Sequence, residues 1–70
     1  MKTKNFRVSV NLPDNIVKSL KELAERDGIT MTEVLRKAIV TEKLLRDEVD
    51  QGNKILIEGK DEKLRQLIIR

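Results

Sequence analysis

The sequence predicts an α+β, mainly helical fold in the order strand, helix, helix, hairpin, completed as a homodimer. Three observations predict it. The chain opens on alternating polar and apolar residues, the period of a half-buried strand, and a helix follows at once, so no neighbouring segment can pair with that strand. Two amphipathic helical stretches come next, separated by a break too tight for a domain boundary. Finally, 70 residues with no cysteine and no histidine lie near the limit at which one chain buries an adequate core. Disulfides and ordinary zinc sites are excluded as reinforcement, which leaves oligomerisation.

In the opening strand Phe6, Val8, Val10 and Leu12 share one face, and Arg7, Ser9 and Asn11 the other. A lone strand leaves backbone N–H and C=O groups unpaired at a cost. The same strand of a second copy satisfies them most simply. The resulting two-stranded ribbon carries three polar side chains from each copy on one exposed face.

The first helix follows directly. Pro13 suits its first turn, where no N–H is needed, and Asp14 favours the positive helix end. Ile16, Val17, Leu20, Leu23 and Ala24 form an apolar stripe, Lys18, Lys21, Glu22 and Glu25 face water, and Gly28 supplies a left-handed cap. Ile29 leads into Thr30-Met31-Thr32-Glu33, the pattern of a capping box in which the Thr30 hydroxyl takes the Glu33 N–H and the Glu33 side chain reaches back. The second helix runs from Met31 to about Asp50, with Met31, Val34, Leu35, Ala38, Ile39, Leu45 and Val49 inward. Its latter half is charged through Glu42, Lys43, Arg46, Asp47 and Glu48. The expected dimer core is Phe6, Val8, Val10, Leu12, Leu20, Val34, Leu35, Ala38 and Ile39.

Asp50-Gln51-Gly52-Asn53 is a turn cluster that stops the helix. Beyond it, Lys54–Glu58 and Lys63–Arg70, separated by Gly59-Lys60-Asp61-Glu62, read as a β-hairpin with aliphatic groups on both faces and a register poorly fixed by the pattern. An isolated hairpin is marginal in water, so this one packs on the helices, the twin chain or another protein. Residues 1–51 thus form the main domain and residues 52–70 an extension.

Charge is distributed unevenly. Residues 1–12 carry Lys2, Lys4 and Arg7 and no acid, giving +3; residues 13–50 carry seven basic and nine acidic groups, giving −2; residues 51–70 carry five and three, giving +2. A basic ribbon beside near-neutral helices suits a polyanion; a lysine-bearing terminus that aids solubility is the bland alternative. Catalysis has little to work with. The hydroxyls of Ser9, Ser19 and the threonines lack an activating base, and the acids alternate with lysine and arginine as on solvated surface. Glycines are too few and scattered for a phosphate loop. The reading is not an enzyme, with no cofactor and no metal.

Double-stranded DNA fits better. Six strand residues span about 20 Å and paired strands lie under about 5 Å apart, a ribbon that enters a major groove roughly 12 Å wide. Arg7 can donate two bonds to guanine O6 and N7, Asn11 can pair with adenine N6 and N7, and the short Ser9 suits the groove floor. Ordinary polar surface is the other reading of these three. The start of the second helix offers N–H groups at Met31 and Thr32 and hydroxyls at Thr30 and Thr32, an arrangement that takes phosphate. In a two-fold dimer two such ends flank the ribbon.

The motif Arg7-x-Ser9-x-Asn11-Leu12-Pro13, followed by Gly28-Ile29-Thr30-Met31-Thr32-Glu33 between the helices, resembles the prokaryotic ribbon-helix-helix family, which includes Arc and MetJ, and its CopG-like branch in particular. The resemblance covers residues 5 to about 48. It implies strands paired antiparallel across an intertwined dimer, base contacts from Arg7, Ser9 and Asn11, and phosphate contacts from Thr30, Met31 and Thr32, with Lys2 and Lys4 adding charge. Ser9 departs from the threonine frequent in that branch and lacks its methyl group. The expected function is a transcriptional regulator, a repressor acting sterically at a pseudo-palindromic operator, with neighbouring dimers free to assemble further. The alternatives are an antitoxin that represses its own promoter and holds a protein partner through residues 52–70, and a dimeric protein-interaction module without DNA binding. With no apolar run near the roughly 20 residues of a membrane span and no signal-peptide core behind the two N-terminal lysines, the expected location is the cytoplasm, on the nucleoid when bound to DNA.

Overall fold

Local sequence sets both helix starts. In the computed structural model, which describes residues 4–69, Pro13 holds an extended backbone (φ −61°, ψ 154°) and its carbonyl accepts from the N–H groups of Ile16 and Val17, both at 3.0 Å. It is therefore the residue before helix α1 (Asp14–Asp27) rather than part of its first turn. Gly28 ends α1 at φ 65°, in the left-handed region that a Cβ disfavours. The Gly28 N–H donates to Glu25 O at 3.3 Å and the Ile29 N–H to Ala24 O at 3.0 Å, which closes the orphan carbonyls in a Schellman motif. Ile29 packs on Ala24 and its neighbours, so the cap also sets the angle at which helix α2 (Met31–Asp50) leaves.

The core of the single chain is small: Leu20, Ala24 and Val34, with Ile29 against them. Leu20 and Val34, expected in the dimer core, lie in this cluster between α1 and α2. Ile16, Leu23, Met31, Leu35 and Ile39 remain exposed along the same helices. The chain exposes 7040 Å², against about 4,500 Å² for a compact folded protein of its 8.1 kDa. Two chains each covering a surplus of roughly 2,500 Å² would bury about 5,000 Å² together, the scale of an obligate dimer interface.

Residues 4–12 form neither helix nor strand within the chain. Their expected ladder requires a second copy, and Phe6 and Val8 are 81% and 79% exposed without one.

Strands β1 (Ile55–Glu58) and β2 (Leu64–Leu67) form the expected antiparallel hairpin, in the register Ile55↔Leu67, Leu56↔Gln66, Ile57↔Arg65 and Glu58↔Leu64. The second strand is shorter than the apolar run suggests and stops before Ile68; Arg70 lies outside the described residues. Aliphatic groups occupy both faces. Ile55 is half-buried where β1 meets α2, while Leu56 and Leu64 are exposed on the opposite face. At the tip the Glu62 N–H donates to Gly59 O at 3.0 Å, and the Gly59 N–H to Lys63 O at 2.9 Å. Glu62 itself sits at φ 64°, the left-handed position that such hairpin loops usually give to glycine. Left-handed backbone costs a side-chain-bearing residue about 1–2 kcal/mol, of which glycine's extra unfolded-state entropy returns part. Glu62→Gly is expected to stabilise the hairpin by about 0.5–1 kcal/mol, seen as slower amide exchange at residues 55–67.

Candidate nucleic-acid interface

The interface begins with a leader whose side chains alternate by sequence. Arg7, Ser9 and Asn11 are exposed, as are Lys4 and the interleaved Phe6, Val8 and Val10. Apolar residues so exposed in water indicate a surface made to be covered. Lys2 lies outside the described residues.

The second set is assembled at the start of α2. Thr30 has an extended backbone (φ −78°, ψ 160°), and its Oγ1 accepts the Glu33 N–H at 3.1 Å. Its carbonyl accepts the Val34 N–H at 3.1 Å, beginning the helical ladder. Met31 and Thr32 follow in the first turn, where N–H groups have no partner within the helix, and both residues are exposed. Thr30, Met31 and Thr32 are thus brought together at the positive end of a 20-residue helix. The capping box is only half made. The Glu33 carboxylate turns instead to Arg36, with Arg36 Nη1 at 2.5 Å from Glu33 Oε1. The sequence signal for this is present in the three-residue spacing of opposite charges. Thr30→Ala is expected to cost about 1 kcal/mol of stability by loss of the cap, measurable as a lowered urea midpoint.

Among the described residues no hydrogen bond or ion pair links the leader to α2; the two sets are joined through α1 and its Gly28 cap. The hairpin lies elsewhere. At about 1.5 Å per residue, α2 carries the chain roughly 30 Å from Thr30 before β1 begins. Lys54, just past the α2 C-terminus, is therefore separated from Thr30 by the length of the helix. Sequence reasoning also leaves Val40 and Leu44 out of the inward set of α2, and both are exposed.

An exposed leader of alternating character, unpaired in the single chain, thus precedes two short-linked helices and an exposed second-helix N-terminus. Residues 7–48, more than half of the chain, match the ribbon-helix-helix proteins of the copG family, and the chain belongs to that family. Its members are typically DNA-binding transcription regulators that bind DNA as dimers, and they are generally not enzymes. No curated protein and no solved structure matches the chain. Among the described residues no helix is long and apolar enough to cross a membrane.

Proposed function

We propose that the protein is a homodimeric transcriptional repressor, acting in the cytoplasm, that reads the major groove of a pseudo-palindromic operator with two antiparallel leader strands. Residues 1–51 are the DNA-binding and dimerisation unit. Arg7, Ser9 and Asn11 contact bases; Thr30, Met31 and Thr32 hold phosphates on either side, and Lys2 and Lys4 add to the positive field. The observation that carries this reading is the exposed leader, apolar on alternate residues and cationic, in a chain of the copG family. Repression follows from occupancy, since a dimer seated on an operator blocks polymerase.

Selection from a random duplex pool tests it. Enrichment of a two-fold symmetric site supports the proposal, and a pool that stays random after binding at moderate salt counts against it. Lys4→Ala is expected to weaken binding to all sequences alike and to lower the salt slope by about 1 for each phosphate left without its lysine, as measured by titrations at several salt concentrations.

The outward hairpin face of Leu56 and Leu64 favours a second role beside DNA binding, an antitoxin whose residues 52–70 hold a protein partner. Removal of residues 52–70 would then leave DNA binding intact and abolish co-purification with the product of an adjacent gene.

A further inference from the structure

Strand β1 and the residue before it read Lys54-Ile55-Leu56-Ile57-Glu58, basic at one end, aliphatic through the middle and acidic at the other. One edge of this strand is free. Across the hairpin the Gly59 N–H donates to Lys63 O, and the alternation of an antiparallel ladder then turns the backbone groups of Ile57 and Ile55 towards β2. Those of Leu56 and Glu58 point the other way, to an edge that no strand covers among the described residues. Leu56 is 52% and Ile57 47% exposed, and Lys54 and Glu58 are exposed beside them. A two-stranded hairpin is marginal in water, whereas three or more strands can sustain a sheet.

The free edge is complementary to itself when turned end for end. Two β1 strands paired antiparallel about a two-fold axis at Leu56 would set Lys54 opposite the second copy's Glu58, and Ile55 opposite its Ile57. The two-fold repeats each pair, as an isologous interface requires. The two Leu56 residues would meet at the axis with their N–H and C=O groups directed at one another. Opposite charges and aliphatic pairs that face each other across strands are both stabilising. Among the described residues neither Lys54 nor Glu58 is in an ion pair within its own chain. Sliding the strands by two residues would set a charge against Leu56, and a parallel alignment would bring like charges together. Strand β2 lacks this symmetry: turned about Gln66, its edge would set Arg65 against Leu67. The charge pattern therefore selects β1, one register and one orientation.

We propose that the two hairpins of one dimer join edge to edge through β1, making a four-stranded antiparallel sheet in the order β2-β1-β1-β2. The proposal rests on the dimer reading above. Continuity with the apolar stripe of α2 assigns the second strand to the same dimer. That stripe runs on through Leu45 and Val49, both half-buried, to the helix end. Ile55, half-buried where β1 meets α2, follows after residues 51–54. A dimer that closes over the stripe therefore carries the two β1 edges towards its own axis. The sheet gives residues 52–70, which lie beyond the family match, a place in the dimer interface.

Cysteine cross-linking of the full chain tests the edge, because the sequence contains no cysteine. Hydrogen-bonded residues facing each other in an antiparallel pair have Cα atoms about 5.5 Å apart, within the span of a disulfide. Leu56→Cys at micromolar concentration, treated with oxidised glutathione, is expected to form a covalent two-chain species much faster than Leu64→Cys on the outer strand. Adding Lys54→Glu to Leu56→Cys turns both flanking ion pairs into repulsions and should slow the link about tenfold. Adding Glu58→Lys as well should restore it. Sedimentation equilibrium should give two chains before and after oxidation. A Leu56→Cys link no faster than that of Leu64→Cys, a rate indifferent to the charge reversals, or an oxidised species of four chains would overturn the proposal. A wild-type protein that sediments as a single chain would overturn the dimer reading beneath it.

Discussion

Val8→Asp is expected to leave the chain largely unfolded at micromolar concentration, with loss of helical circular dichroism and of the two-chain mass. In the single chain Val8 is 79% exposed. If the leader were a solvated tail, an aspartate there would change stability by no more than about 0.5 kcal/mol. In a paired ribbon the same aspartate enters the dimer core, where a buried charge without a partner costs roughly 3–5 kcal/mol, and two-fold symmetry inserts it twice. A small domain commands only about 5–15 kcal/mol in total. The intrachain core of Leu20, Ala24 and Val34 is too slight to hold the helices alone. The two accounts of the leader therefore differ by most of the stability of the molecule, and circular dichroism of one variant separates them.

Arg7→Ala is expected to leave the fold intact and weaken operator binding by about 1–3 kcal/mol for each cognate guanine, with relaxed selectivity at that position. Two symmetric copies double the loss, so affinity falls by about three decades near the middle of the range. Lys4→Ala supplies the contrast, because every sequence offers the same phosphates and all of them bind less tightly. Competition titrations against the selected site and a scrambled duplex distinguish the two. An Arg7→Ala dimer with unchanged affinity and preference would remove the leader from the groove.

Helical periodicity and cap chemistry make the helices legible in the sequence, because both act within a few residues. Gly28 and Thr30 bracket α1 and α2 as expected, and the end of α2 at Asp50 agrees with the structure. Pro13 and Glu33 are less legible. Proline fits both the first turn and the position before it, and the Glu33 carboxylate has two partners within reach, of which it takes Arg36. The hairpin is legible from its turn residues but its register is not, since aliphatic side chains on both faces favour no single alignment. Val40 and Leu44 escape a search for one stripe per helix, which discards apolar residues that fall off it. The residues proposed to read bases and hold phosphates are legible as types and spacings. Their juxtaposition depends on a second chain, and no local rule within one sequence fixes it.

The central claim is that two leaders pair side by side, and a mixed-isotope sample tests it most directly. One half of the chains carries ¹³C and ¹⁵N, the other half neither, and only contacts between differently labelled chains are recorded. The account predicts interchain contacts that include an antiparallel register through residues 7–11, together with a two-chain mass at micromolar concentration. Contacts of Phe6, Val8 and Val10 with α1 or α2 of their own chain alone, in a folded single-chain species, would contradict it.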